Sequence, residues 1–308
     1  MLTCALLTLP LVTAGLLPRA LPSDFVAKPV TDGPVTAQLM PDTTRWIPGR
    51  DHLVGVKFTT DPGWHLYWPG QNDSGFPIQI EPTAEKKKVP ANERLTTGAL
   101  RWPVPERLVY GEGAFVDHVY HDTVTLLIPV HVPYNAEPGS LLTLKLETDW
   151  FVCEEACLMG SAQIALSMPV AEPSEALARS KDADHLGGVL QRIPFGMAQD
   201  VSVEILGDHG NILQVTVPRA TRIAFYPAEE GLALTGIADS CTAPGPRLRL
   251  QTDPTPPYRP ESAARPRLRG ILEVWYDDGN PSRLSSIDLP GPDPADLQRI
   301  PGNTGNER

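Results

Sequence analysis

Cysteine is scarce in this chain, with four in 308 residues, at positions 4, 153, 157 and 241. So few exclude a dense disulfide framework. If Cys4 leaves with an N-terminal leader, the three that remain are an odd number and cannot all pair. Charged residues are also few, at 20%, and the cations are the minority: 26 Lys and Arg against 37 Asp and Glu give a net charge of −11. A surface of that sign repels phosphate backbones and anionic lipid, so neither nucleic acid nor a membrane surface is expected as a partner. Beyond the first 17 residues, no stretch approaches the ~18 apolar residues that a membrane helix needs, so no span is expected. There is no short-period repeat, no His-rich tract and no second close cysteine pair.

What is abundant is punctuation: 34 prolines and 25 glycines among 41% hydrophobic residues. That composition favours short strands and turns over long helices while leaving enough apolar surface for a core. Residues 25 to 170 read as strands. Leu53 to Phe58 is an apolar run ending in the turn Asp61-Pro62-Gly63. Val124 to Val130 is β-branched and apolar. Leu142, Leu144 and Leu146 alternate with Thr143, Lys145 and Glu147, and Ile164, Leu166 and Met168 alternate likewise, which is the period of half-buried strands. The expected class is all-β, a β-sandwich.

Residues 171 to 195 read as a helical linker, with Ser174 capping a run of helix formers and Gly187-Gly188 interrupting the later part. Residues 196 to 290 return to strands (Val201 to Leu206, Ile212 to Val217, Ile223 to Tyr226, Leu248 to Leu250, Ile271 to Tyr276) and form a second, smaller β-domain. Residues 291 to 308 are polar and read as a disordered tail. At the other end, residues 1 to 22 are expected to be a signal peptide, with cleavage near Ala20. A buried N-terminal strand is the alternative, since no cation precedes Arg19.

Chemistry concentrates at Trp150-Phe151-Val152-Cys153-Glu154-Glu155-Ala156-Cys157, between the strand that ends at Val152 and the one that begins at Ala162. A three-residue connection can set its flanking residues opposite each other. In a non-hydrogen-bonded antiparallel pair the Cα atoms are ~4.5 Å apart, within reach of a disulfide. Closing so short a loop removes little chain entropy, and an exposed loop is open to another thiol. Spacing alone leaves the pair open between a reversible dithiol and a hairpin clip. A metal site that recruits His118 and His121 is a third reading. Glu154 and Glu155 disfavour a neighbouring thiolate, unlike a strongly oxidising thiol. Trp64, Trp68 and Trp102 read as core. Cys241, in a loop-like stretch, reads as a non-catalytic free thiol.

Four stretches together resemble the periplasmic N-terminal domain of the thiol:disulfide interchange protein DsbD, and more closely its ScsB-like relatives. They are Pro62-Gly63-Trp64-His65-Leu66-Tyr67-Trp68 with Asn72-Asp73-Ser74-Gly75-Phe76-Pro77; Trp102-Pro103-Val104-Pro105-Glu106-Arg107 with Tyr110-Gly111; Leu126 to Val130; and Trp150 to Cys153 with Cys157. The resemblance covers residues 35 to 170. A fainter echo, Ile223-Ala224-Phe225-Tyr226-Pro227 and Arg269-Gly270-Ile271-Leu272, extends to the second β-domain of ScsB-like members.

The resemblance implies an immunoglobulin-like sandwich in the periplasm whose cysteine pair relays electrons. A membrane-embedded thiol reductase supplies them and periplasmic thioredoxin-like proteins receive them. Cys157 is then the sulfur that forms the mixed disulfide and Cys153 the one that resolves it. By the same resemblance, His65 and Tyr67 are aromatic residues beside the pair. Pro105 to Tyr110 is a cap loop, with Glu106 its acidic member and Tyr110 at its end. His65 and Tyr67 also fit plain packing. The reductase is expected to act in trans, because neither a membrane domain nor a thioredoxin-like domain is present in the sequence. No cofactor and no metal are expected. The other functional readings are a binding module with a structural disulfide, and copper or zinc handling.

Overall fold

The computed structural model describes residues 27–83, 90, 93–172, 175, 178–197, 200–206, 212–252 and 267–290. The expected signal peptide and the expected disordered tail lie outside these. In chain order the first part holds β1 (Val30–Asp32), β2 (Val35–Pro41), β3 (Asp51–Thr60), β4 (His65–Tyr67), β5 (Gln79–Pro82), β6 (Thr96–Thr97), β7 (Glu106–Tyr110), β8 (Phe115–His121), β9 (Thr123–His131), β10 (Leu141–Cys153) and β11 (Cys157–Pro169). They form two antiparallel sheets, ordered β1-β2-β3-β9-β6 and β11-β10-β4-β8-β7, with β5 also paired to β10.

Alternation along the strands fixes which face is buried. Leu142, Leu144, Leu146, Trp150 and Val152 of β10 point inward, while Lys145, Glu147 and Asp149 face water. In register across from them, β11 sets Met168 against Leu142, Leu166 against Leu144 and Ile164 against Leu146. The two sheets meet through these residues and Val54, Phe58, Leu126 and Ile128, with Phe58 and Trp150 edge to face at 5.8 Å. The class is all-β, and a sandwich.

β9 has apolar residues on both faces. Its second face is covered by α1 (Ala183–Leu190), whose Leu186 packs with Met40 and Leu127. Gly55 makes room for this: a Cβ there would meet Leu186 at 2.5 Å. α1 therefore runs through Gly187-Gly188, where the sequence predicts an interruption. The buried Leu186 contact outweighs the roughly 1 kcal/mol per glycine that helix propensity costs. The expected helix start near Ser174 lies mostly outside the described residues.

The later strands are β12 (Ser202–Leu206), β13 (Ile212–Thr216), β14 (Arg222–Pro227), β15 (Leu234–Thr235), β16 (Thr242–Pro244), β17 (Arg247–Thr252), β18 (Arg267–Trp275) and β19 (Arg283–Pro290), with α2 (Ile237–Ser240) between β15 and β16. They form a second, smaller sandwich of two four-stranded sheets, β12-β13-β17-β15 and β16-β14-β18-β19. Its core is built from Leu213, Val215, Ile223, Phe225, Leu248, Leu250 and Leu272. Cys241 lies, as expected, outside the regular elements, in the turn between α2 and β16, and is a free thiol fully buried in this core. Burial pushes its thiol up to about 11, so it is an inert packing residue.

Gln71, after β4, joins the two sandwiches. Its side-chain amide donates to the carbonyls of Ala228 (3.2 Å) and Leu232 (2.8 Å), and its oxygen accepts from the Leu234 amide (2.9 Å). Among the described residues no helix is long and apolar enough to cross a membrane.

Candidate functional site

Cys153 and Cys157 are the last pair of the β10–β11 hairpin and are joined by a disulfide, with Cα atoms 4.1 Å apart. They lie on the outer face of the sheet, since Val152 and Leu158, one step along, belong to the other face. The two sulfurs are not equivalent. Cys153 is buried, at 3% exposure, against Tyr67 and Val119, with Leu108 and Phe151 packed around them. Cys157 is exposed, and so are its neighbours Leu158 and Met159.

β4 lies next to β10 and places His65 directly opposite Cys153; β8 follows and places His121 opposite His65. A row of Cys153, His65 and His121 thus crosses three strands. The His65 and His121 rings are 5.5 Å apart, and His121 Nδ1 meets Glu106 Oε2 of β7 at 3.2 Å. Burial lowers the His65 pKa, and the neighbouring His121 lowers it further. The imidazole beside Cys153 is therefore neutral near pH 7. Its Nε2 lies 3.2 Å from the Tyr67 hydroxyl, and burial raises the Tyr67 pKa.

A buried carboxylate organises the next shell. Asp117 of β8 accepts from the Ser74 amide (2.9 Å), the Ser74 hydroxyl (2.7 Å) and the Tyr110 hydroxyl (3.1 Å). Asp73 accepts from the Val116 amide at 2.6 Å. These bonds hold the segment from Asp73 to Phe76 down over Tyr67. Gly75 has φ +68°, and a Cβ there would meet the Tyr67 ring at 2.2 Å, so only glycine allows this approach. Phe76, 64% exposed, then sits edge to face on Phe151 at 5.2 Å, at the border of the cysteine cluster.

The structure thus brings His65, Tyr67, Glu106 and Tyr110 to the same sheet face as the cysteine pair, where His65 and Tyr67 are well buried. It differs from the sequence reading in one respect: Glu106 to Tyr110 is not a loop but β7, an edge strand fully paired with β8. Its five residues are in register with β8, so it is a regular element. His118 and His121 do not converge, because three positions along a strand places them on opposite faces. His118 is fully buried, with its ring against Trp68 and Tyr226. No group of three or more His, Cys, Asp or Glu able to hold a metal is found among the described residues. Trp68 is buried, and Trp64 and Trp102 are partly buried against the main core. Sequence reasoning gave no site role to Asp117, Ser74, Phe76, Phe151 or Met159. Ser74, Phe76 and Phe151 carried a signal, as members of the Asn72-Asp73-Ser74-Gly75-Phe76-Pro77 and Trp150-Phe151-Val152-Cys153 stretches.

Residues 36–169 match the family described as thiol:disulfide interchange protein DsbD, N-terminal. This segment is a DsbD N-terminal-like domain. The chain is also similar, over most of its length, to the crystal structure of the N-terminal periplasmic domain of ScsB from Proteus mirabilis. The TM-score is 0.54 at 15% identity, covering 88% of this chain and 100% of that one, a likeness of fold. A protein of unknown function from Porphyromonas gingivalis W83 and the E. coli chaperone DraB match at 12% identity, covering 84% and 82% of this chain and 100% and 98% of theirs. Both have a TM-score of 0.24, too low to carry an argument. No curated protein matches the chain. The DsbD N-terminal-like domain spans β2 to the end of β11 and so contains both cysteines and the whole His65–Asp117 network.

Proposed function

We propose that the chain is a thiol-disulfide exchange protein that relays electrons through Cys153 and Cys157, from a membrane-embedded thiol reductase to thioredoxin-like proteins in the periplasm. The observation that carries this reading is the asymmetry of the disulfide. The exposed Cys157 sulfur is open to attack, while Cys153 is buried behind Tyr67, Val119, Leu108 and Phe151. Attack by an incoming thiolate on a disulfide sulfur requires access along the S–S axis, and only Cys157 offers it.

The balance of the relay is simple. A donor thiolate attacks Cys157 Sγ, the bond to Cys153 breaks, and the electron pair leaves on the Cys153 sulfur, which takes a proton. The donor's second thiol releases Cys157 and leaves the donor as a disulfide. On the outgoing side, the Cys157 thiolate attacks the acceptor's disulfide and forms a mixed disulfide. Cys153 then attacks Cys157 Sγ, which frees the acceptor as a dithiol and restores the Cys153–Cys157 bond. Neutral His65, opposite Cys153, does not bias it toward thiolate, and the surrounding carboxylates disfavour one. That suits a donor that gives electrons readily over one that takes them strongly.

The test is covalent trapping. Reduced Cys153→Ser, mixed with an oxidised thioredoxin-like protein, is expected to accumulate a mixed disulfide through Cys157, whereas Cys157→Ser accumulates none. A Cys153→Ser protein that traps nothing, together with a native pair whose reduction potential lies below about −300 mV, would mark the bond as a structural clip and overturn the reading.

A further inference from the structure

The second sandwich shares no residue with the site, yet it reaches the site's back. In β7, Glu106, Leu108 and Tyr110 point to the cysteine face, where they meet His121, the Tyr67–Cys153 cluster and Asp117. Arg107, between them, points the other way, into the second sandwich. Its Nη1 donates to Thr242 Oγ1 at 2.7 Å. Its Nη2 donates to the Phe225 carbonyl at 2.7 Å and to the Cys241 carbonyl at 3.4 Å. The guanidinium lies 5.3 Å from the centre of the Tyr226 ring, and its Nε is buried. A guanidinium fork placed on two strands and a ring of another domain is a directional, desolvated attachment, unlike a surface ion pair.

β7 needs such an attachment. It is the last strand of its sheet, paired on one side only, to β8. Edge strands open at lower free energy than central ones, because a single ladder holds them. Leu108, carried on β7, is one of the side chains that screen Cys153.

We propose that Arg107 is a positioning residue through which the second sandwich clamps β7, and with it Leu108, over the Cys153 side of the disulfide. The consequence for exchange rests on the relay reading above; the clamp itself does not. Without Arg107, β7 opens more often and Cys153 loses the Leu108 part of its screen, so the preference for attack at Cys157 weakens.

The experiment uses the full chain and two readouts: hydrogen exchange of the β7 amides, and the rate of reduction of the disulfide by dithiothreitol. In Arg107→Ala, the β7 amides are expected to lose protection and reduction to accelerate on the order of tenfold. Arg107→Lys, which keeps the charge and loses the fork, should fall between this and the unmodified protein. Val215→Ala, in the second core and away from the interface, should lower the melting temperature yet leave both readouts within about twofold. If Arg107→Ala does not accumulate folded, Thr242→Val, which removes one acceptor, carries the same test with a smaller change. The clamp is overturned if β7 stays fully protected in these variants, or if Val215→Ala loosens β7 as much. The positioning role is overturned if β7 loosens and a reducible disulfide keeps its rate. If β7 loosens but dithiothreitol fails to reduce the disulfide even in the unmodified protein, the clamp stands and the relay reading falls.

Discussion

His118 has no room for a second proton. Its ring is fully buried, Nδ1 donates to the Gln71 carbonyl at 3.1 Å, and Nε2 is buried without a partner. Burial, and then the nearby Arg107 charge, lower its pKa from 6.5 to about 4. The unfolded chain keeps the ordinary value, so it takes up the proton first as pH falls. Stability that is fully present above about pH 6.5 is therefore lost progressively down to about pH 4, by on the order of 3 kcal/mol from this group. Urea unfolding at pH 7 and pH 4.5 checks this: His118→Gln should lose distinctly less stability between the two than the unmodified protein. An equal loss in both would place the acid sensitivity elsewhere. Because His118 sits between Gln71, Arg107 and Tyr226, acid should weaken the attachment of the two sandwiches before it melts either core.

At the scale of elements, the β10–β11 hairpin is expected to hold together without its disulfide. Thirteen residue pairs run from Leu141↔Pro169 to Cys153↔Cys157, and six inward side chains of β10 are buried. The bond closes a loop of only a few residues, so the entropy model assigns it about 2 kcal/mol. Reduction is expected to lower the melting temperature by several degrees while preserving the β-sheet circular dichroism and the near-ultraviolet signal of the buried Trp150. Loss of the tertiary signal on reduction would show a structural clip instead. This tolerance is what a relay requires, since the domain must stay folded in both redox states. The segment from Asp73 to Phe76 follows the same logic: backbone and hydroxyl bonds to Asp117 and Asp73 fix it independently of the cysteines.

At the scale of the whole molecule, two separate cores meet, among the described residues, through an apolar patch around Ile271. Ile271 of β18 belongs to the second sandwich by its strand and to the first by its packing, with Tyr226, Ala228 and Leu284 beside it. Around it lie polar attachments, Gln71 on one side and Arg107 on the other. Ile271→Ala removes the apolar contact and should cost about 2 to 5 kcal/mol. Calorimetry is expected to show one transition splitting into two, because each sandwich keeps its own core. A single transition shifted as a whole would mean that the two halves fold as one unit.

The local rules were legible. Period-two alternation at Leu142–Leu146 and Ile164–Met168 is enough to place β10 and β11, because a strand with one buried face must alternate. The cysteine spacing marks the hairpin end, and four short stretches carry the likeness to the DsbD N-terminal domain. What sequence could not decide depends on residues far apart in the chain. Gly187-Gly188 reads as a break until Leu186 is seen filling the space that Gly55 leaves open. Glu106 to Tyr110 reads as a loop until β8 pairs with it, and Cys241 reads as a free thiol in a loop-like stretch, with no sign of the core that closes over it. Asp117 carries no sequence signal, and Arg107 only that of the stretch it belongs to, since a lone charge reads as solvated until its distant acceptors or donors are known. The cysteine pair spans both cases. Its position at a hairpin end is legible from the strands that flank residues 153 to 157, though spacing alone leaves its chemistry open. Which sulfur is open and which is screened was decided only by tertiary structure, because Tyr67, Val119 and Leu108 arrive from three other strands.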